Sequence, residues 1–297
     1  MNDRARASKI GVAMRIGIVV KPKHENALPA LKELISFLKS EKVRFHVDPS
    51  GAELLAAGVP MAERESLPKR SDIIIVLGGD GTLLAAARHI PPRKIPLLGI
   101  NLGRVGFLTE IPANEMVGAL KLFLEGKAQV QERMMLEASI LRKGKRIAGY
   151  RCLNDAVITK GALARIVPMK VATNSGLVAD VFADGLIVST PTGSTAYNLA
   201  AGGPIVMPGL NALIMTPLCP QTLSLRPTVL PSDETVDITI VGNPEEVFLT
   251  SDGQMGSPLT PMDKVVIRRS PDSISLVMNP RMDYFSLLRD KLGWAGG

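Results

Sequence analysis

The sequence predicts an α/β protein: a Rossmann-like N-terminal domain on a parallel sheet, a β-rich C-terminal domain, and a last helix returning to the first domain. Three observations predict it. In the first third, short apolar runs alternate with apolar residues at helical spacing, as in strands joined by crossover helices. From about Val130 the apolar residues alternate with polar ones, broken by Gly, Pro and Asn turns, as in antiparallel strands. The chain has 297 residues, 46% of them hydrophobic, which is enough for two domains with their own cores.

The elements follow in order. Residues 16–20 (IGIVV) read as a buried strand, and Leu28, Leu31, Leu34, Ile35 and Leu38 then recur at helical spacing. Residues 43–47 and 73–77 read as the second and third strands. After GGDGT (78–82) a helix is expected over 83–89, ended by Pro91 and Pro92. A strand at 95–100 and a helix over 116–126 close this region. In the β-rich part, 136–141 and 149–158 flank the turn-like RKGKR at 142–146. Val171 and residues 178–181 flank TNSG, while Val236, Ile238 and Ile240 alternate with polar residues. Residues 265–269 and 273–278 flank SPD, which reads as another turn, and a last helix is expected near 284–292. The expected domains are 1–117, 118–278 and the terminal helical segment 279–297.

Composition narrows the function. A net charge of +7 favours anionic partners, yet the positive residues are scattered and aromatics make up only 4% of the chain. That is too few for a platform on which bases stack, so an anionic small molecule is expected and nucleic acid is not. No run approaches the ~20 apolar residues of a transmembrane helix, and residues 1–13 lack an apolar signal-peptide core, so no membrane is expected and the cytoplasm is. Cys152 and Cys219 read as buried free thiols, and His24, His46 and His89 form no metal-binding spacing.

Two stretches carry chemistry. In VLGGDGTLLAAAR (76–88), Gly78, Gly79 and Gly81 let a ligand approach the main chain. A helix starting near Thr82 points N–H groups at the loop, which suits phosphate. Asp80 among them has three readings: a cap of that helix, a base taking a proton from an attacking hydroxyl, or a ligand of Mg²⁺ on the phosphates. The second stretch, DGLIVSTPTGSTAYNLAAGGP (184–204), holds five hydroxyls within seven residues: Ser189, Thr190, Thr192, Ser194 and Thr195. Hydroxyls are costly to bury without partners, and their place between an apolar strand and a small-residue helix favours a binding turn over a hydrated one. NLGRVGFL (101–108) reads as a βα turn with a core Phe107. Asn154 and Asp155, in mid-strand context, are candidates for binding an amide or a ribose, and Asp252-Gly253-Gln254 is a hairpin signal.

Together these stretches resemble the NAD kinase family. GGDGT, NLGRVGFLTE (101–110), LND (153–155), the 184–204 stretch and SDGQ (251–254) occur in its order, with SLRPTVLP (224–231) and KLGW (291–294) also similar. The resemblance runs from about Met14 to Trp294. GGDG is shared with lipid kinases and phosphofructokinases, whereas STPTGSTAY is specific. The resemblance implies ATP-dependent phosphorylation of the 2′-hydroxyl of the adenosine ribose of NAD, giving NADP. It implies ATP as donor with Mg²⁺ or another divalent metal near Asp80 and no dedicated protein cage, and a homodimer or homotetramer. It further implies Asp80 as the proton acceptor with Gly81 beside it, and Gly78, Gly79, Gly81 and Thr82 as the phosphate loop. Asn154, Asp155 and Gln254 match NAD contacts, and Asp184 matches a carboxylate on the nicotinamide side. Thr195, Ala196, Tyr197, Asn198, Leu199 and Ala200 match the turn around the adenosine portion. Phe107 and Thr192 match pocket-lining positions, and Arg165 a basic or polar contact. Asp155 stands where the family often has Glu, and Phe182 where some relatives carry Arg, so Phe182 takes no role.

Overall fold

The computed structural model describes residues 14–56, 58–90, 95–162 and 165–294. The chain forms two compact units, one of Met1–Glu132 with Ile274–Gly297, the other of Arg133–Ser273.

The first unit opens with β1 (Arg15–Val20), α1 (Ala27–Ser40) and β2 (Arg44–Val47). Two short helices, α2 (Pro49–Leu55) and α3 (Leu67–Arg70), lead to β3 (Ile73–Gly78), and β3 turns into α4 (Asp80–Ala87). Then come β4 (Leu97–Asn101), the two-residue β5 (Ile111–Pro112) and α5 (Met116–Leu124). The expected terminator Pro91–Pro92 lies outside the described residues. β2, β1, β3 and β4 pair in that order, all parallel. Every residue of β3 and β4 is buried, as an unbroken apolar run requires when helices cover both faces. From β1 the chain goes to β2 on one side, and from β2 it crosses to β3 on the other. In open parallel sheets the crevice beyond the carboxyl ends at such a reversal receives ligands. The GGDGT turn sits there, at the end of β3.

The first unit runs on to Glu132 rather than dividing at 117/118. α5 buries Met116, Ala119 and Leu120 in the same core as Leu31, Leu34, Ile73 and Ile75, so a cut at 117/118 would pass through a packed helix.

The second unit contains β6 (Val130–Arg142, starting in the first unit), β7 (Lys145–Cys152), β8 (Asp155–Lys160), β9 (Val167–Thr173), β10 (Gly176–Ala183) and β11 (Gly185–Ser189). The one-turn helix α6 (Tyr197–Ala200) precedes β12 (Ala212–Leu218), β13 (Thr228–Pro231) and β14 (Thr235–Ile240). β15 (Val247–Ser251), β16 (Met255–Leu259) and β17 (Lys264–Val277) follow, and α7 (Tyr284–Leu292) ends the described chain in the first unit. One antiparallel sheet has the order β13-β12-β11-β8-β15-β16. In the other layer β10, β9, β14 and the start of β17 pair antiparallel. The core lies between them, with Val171, Val236 and Ile238 facing Ile158, Val188 and Leu249 in one cluster. The alternation read at Val236, Ile238 and Ile240 marks the side of β14 that enters this core. On its other face, β11 buries Ile187 with Val157 and Leu218, and Ala201 packs over them. The hydroxyl-rich segment is thereby held against β11.

Three further sequence expectations need correction. Residues 149–158 are not one strand: the chain breaks between Cys152 and Asp155, for a reason given below. SPD is not a turn, because β17 runs unbroken through it. Its residues 264–268 pair with β14 and Leu276 pairs with β4. Pro271 falls between those two pairings, and β6 pairs with β17 as well. Cys152 is buried, but Cys219, just past β12, is exposed.

Candidate active site

Each unit holds one group of the expected site residues. In the first unit, Gly79 is extended at φ −115° and α4 starts at Asp80. Gly79, not Asp80, holds the N-cap position of α4, and the Asp80 carboxylate accepts from residues 107–109 rather than from α4, which removes the cap reading. The carboxylate turns to the loop after β4 instead. Its Oδ2 accepts from the N–H of Phe107 at 2.9 Å. Its Oδ1 accepts from the N–H groups of Leu108 and Thr109 at 3.1 and 3.0 Å and from the Thr109 hydroxyl at 2.9 Å. A carboxylate offers about four acceptor positions, so Oδ2 is the oxygen with capacity left for an outside donor.

Glycines make room for this. A Cβ on Gly106 would lie 2.0 Å from Asp80 Oδ1, and one on Gly78 would lie 2.5 Å from the Thr82 hydroxyl. Gly79 has open space at that point, so its backbone is the approachable one. Gly81 is exposed, while Thr82 and Phe107 are half-buried.

In the second unit the Asn154–Asp155 loop is built on Asp252. Its carboxylate accepts from the N–H groups of Leu153 at 3.0 Å, Asn154 at 2.7 Å and Asp155 at 3.1 Å. Those are the donors a continuous strand would have given to a ladder, which is why 149–158 breaks here. Asp252 and Gly253 both have positive φ, 49° and 61°, the geometry of a tight hairpin turn between β15 and β16. Gln254 is exposed on the same turn.

The hydroxyl-rich segment clasps this loop from the other side. The Thr190 N–H donates to the Asn154 carbonyl at 2.8 Å, and the Thr190 hydroxyl to the Leu153 carbonyl at 2.6 Å. Ser189, Ser194 and Thr195 also donate to backbone carbonyls nearby. Most of the hydroxyls thus hold the turn together. Thr192 differs: it is 5% exposed, and its hydroxyl has no partner among the described residues. The half-buried Asn154 carboxamide also lacks a partner among them. Asn198 is fully buried. It donates to the carbonyls of Ser194 and Pro204 and accepts from the Thr216 hydroxyl, so it braces the turn from inside. Thr195, Ala196 and Leu199 are half-buried, and Tyr197 and Ala200 are exposed.

Two expected residues stand apart from this loop. Ser189 pairs with Asp155 while Gly185 pairs with Thr159, so Asp184 lies past the opposite end of β11, ~17 Å from Ser189 at about 3.3 Å per residue. There its carboxylate pairs with Lys160 at 3.1 Å. Arg165 is exposed between β8 and β9.

Asp155 is 4% exposed. Burial, reinforced by the Asp252 charge, raises its carboxyl from the usual 3.8 to about 7. Between those values the folded chain keeps a proton that the unfolded chain has released, so stability falls as pH rises through this window and levels off above it. Asp155→Asn, which cannot ionise, is expected to flatten that slope and to unfold several degrees higher than the parent at pH 8. Parallel melting-temperature profiles for the two proteins between pH 5 and 8 would contradict the assignment.

Sequence reasoning missed Asp252 as the support of the Asn154–Asp155 loop, and Asn101, Gly106 and Thr109 around Asp80. Asp252 announced itself only as a turn residue, and its partners lie about a hundred positions away, where no local pattern reaches.

A strand-to-helix glycine turn around a held carboxylate, at the reversal point of a parallel sheet, is an arrangement suited to a phosphotransferase. Comparison with known proteins makes it specific. Residues 16–128 match the ATP-NAD kinase N-terminal domain and residues 153–279 the ATP-NAD kinase C-terminal domain. The NAD kinase of Syntrophotalea carbinolica is 41% identical over 280 residues, covering 94% of this chain and 98% of that one. That of Geobacter sulfurreducens is 50% identical over 230 residues, 77% and 81% of the two chains. Among solved structures, yeast NADH kinase complexed with NADH superposes with a TM-score of 0.88 at 26% identity, covering 96% of this chain and 89% of that one. An NAD kinase from Archaeoglobus fulgidus in complex with ATP gives 0.72 at 25% identity, covering 90% and 95%. The chain belongs to the NAD kinase family and is a kinase that acts on NAD. No helix among the described residues is long and apolar enough to cross a membrane.

Proposed function

We propose that this enzyme transfers the γ-phosphoryl group of ATP to the 2′-hydroxyl of the adenosine ribose of NAD, with Asp80 as general base and Mg²⁺ entering on ATP. The observation that carries the reading is the Asp80 carboxylate, fixed by four donors with acceptor capacity left on Oδ2. A ribose hydroxyl is a poor nucleophile near neutral pH, and a positioned base contributes about 10²–10⁴ in rate. As the ribose oxygen attacks phosphorus in line, its proton passes to Oδ2 and the bond to the leaving ADP breaks. The transition state spreads negative charge over the equatorial oxygens. The open backbone at Gly79, at the N-terminal end of α4, is suited to meet it.

In this reading the first unit handles phosphates, with Gly78, Gly79, Gly81 and Thr82 as its loop and Phe107 lining the pocket. The second unit binds the dinucleotide. The unpartnered Asn154 carboxamide and Thr192 hydroxyl are its best-supported contacts, with Asp155, Thr195, Ala196, Tyr197, Leu199, Ala200 and Gln254 around them. Asn198 acts by holding the turn. Asp184 and Arg165 are assigned to the same ligand on the family resemblance. That yeast NADH kinase is complexed with NADH and the Archaeoglobus fulgidus NAD kinase with ATP supports a dinucleotide acceptor and ATP as donor. A homodimer or homotetramer in the cytoplasm is likewise proposed from the resemblance, and the edge strands β10, β13 and β16 offer unpaired backbone to a second copy.

The direct test is to incubate the purified protein with NAD, ATP and MgCl₂ and follow both products. NADP and ADP are expected to appear one for one. Tight NAD binding without NADP would replace this reading with a dinucleotide sensor, and faster phosphorylation of a lipid diol than of NAD with a lipid kinase.

A further inference from the structure

We infer that Thr109 is a positioning residue for phosphoryl transfer, its hydroxyl selecting which oxygen of Asp80 is left to take the proton. The inference rests on the reading of Asp80 as the base.

The Thr109 side chain is fully buried and Asn101 is 5% exposed, so neither hydroxyl nor carboxamide has bulk water as an alternative partner. The directions of their bonds follow from one fixed donor. The N–H of Gly103 can only donate, and it reaches Asn101 Oδ1 at 2.7 Å. That sets the carboxamide with its nitrogen toward Thr109, to whose oxygen Asn101 Nδ2 donates at 2.9 Å. The single hydroxyl proton of Thr109 is then free to go one way, to Asp80 Oδ1 at 2.9 Å. With the N–H groups of Leu108 and Thr109 also on Oδ1, that oxygen carries three donors while Oδ2 carries one.

The relay is rooted in the sheet. Asn101 is the last residue of β4 and sits in register with Gly78, the last residue of β3, two residues before Asp80. Both ends of the relay are therefore held by neighbouring parallel strands, and the carboxylate between them has one orientation. Positioning of this kind matters because a misplacement of about 1 Å can cost about a hundredfold in rate.

The test compares Thr109→Val and Thr109→Ser with the parent in steady-state assays, each also made in an Asp80→Ala background. Thr109→Val is expected to lower kcat by about tenfold or more, an effect on the scale of a misplaced reacting group, with the KM for NAD nearly unchanged. Thr109→Ser, which keeps the hydroxyl, is expected to recover most of that loss. In the Asp80→Ala background Thr109→Val is expected to change nothing further, because the group it positions is gone. Asn101→Ala is assayed in parallel, so that a Thr109→Val protein that does not fold leaves the test standing. It frees the hydroxyl to turn and is expected to lower kcat in the same direction. Wild-type kcat in Thr109→Val, or in Asn101→Ala if the valine protein does not fold, overturns the inference. So does an equal loss in the valine and serine variants, or full additivity with Asp80→Ala. Wild-type turnover in Asp80→Ala itself removes the base assignment first, which separates the two failures.

Discussion

Asp80→Asn is expected to lower kcat about a thousandfold while leaving the affinity for NAD within a few fold, since a positioned base contributes about 10²–10⁴. The carboxamide keeps the size of the side chain but offers one acceptor oxygen in place of two. Its best orientation puts that oxygen at the Oδ1 position, where three donors converge. The amide nitrogen then stands where Oδ2 was, facing the N–H of Phe107, and it can take no proton from a hydroxyl. One bond of the loop is lost and two donors are opposed, so a stability decrease of about 1–3 kcal/mol should accompany the rate effect. Steady-state assays with calorimetric NAD titration separate the two consequences. A variant that turns over within tenfold of the parent would remove Asp80 from the base role.

Gly193→Ala is expected to have the largest effect on structure. A Cβ there would lie 2.2 Å from the carbonyl oxygen of Asn154, 2.5 Å from its carbonyl carbon and 2.6 Å from its Cα. These are backbone atoms, so no side-chain rotation relieves the overlap. The turn must move off the loop, and with it go the bonds of Thr190 to the Asn154 and Leu153 carbonyls. The Asn154 carboxamide and the Thr192 hydroxyl lie on the two sides of that contact. Overpacking of this kind costs about 3 kcal/mol, and the NAD affinity should drop by at least about tenfold, since 1.4 kcal/mol is a factor of ten. Urea unfolding and NAD titration measure both. An alanine variant as stable as the parent would mean that the loop and the turn are not interlocked.

Much of the fold was legible because its signals are local. The apolar run of β3 ends in GGDGT, the spacing of Leu31, Leu34, Ile35 and Leu38 names a helix, and the alternation at Val236, Ile238 and Ile240 names a half-buried strand. The SPD stretch was misread because Pro and Asp next to Ser carry a turn signal, whereas β17 runs through it, held by pairing with β14, β6 and β4. The break at Leu153–Asn154 was misread for the opposite reason. An apolar, β-prone run is interrupted by a carboxylate about a hundred residues away.

The candidate site divides along the same line. Residue types, order and spacing identified Asp80 in its glycine turn, the Asn154–Asp155 pair, the hydroxyl-rich segment and the family to which they belong. Whether the Asp80 carboxylate caps α4 or turns away from it was open in the sequence, because a carboxylate at a helix start suits both. That the hydroxyls mostly bind their own turn, and that Thr109 and Asn101 orient the carboxylate, also needed the fold. Those facts are hydrogen-bond directions between segments distant in the chain, and such directions exist only once β3 and β4, or β8 and β15, lie side by side. The sequence by itself determined which chemical groups the enzyme brings. The tertiary structure decided which of their atoms remain free to act.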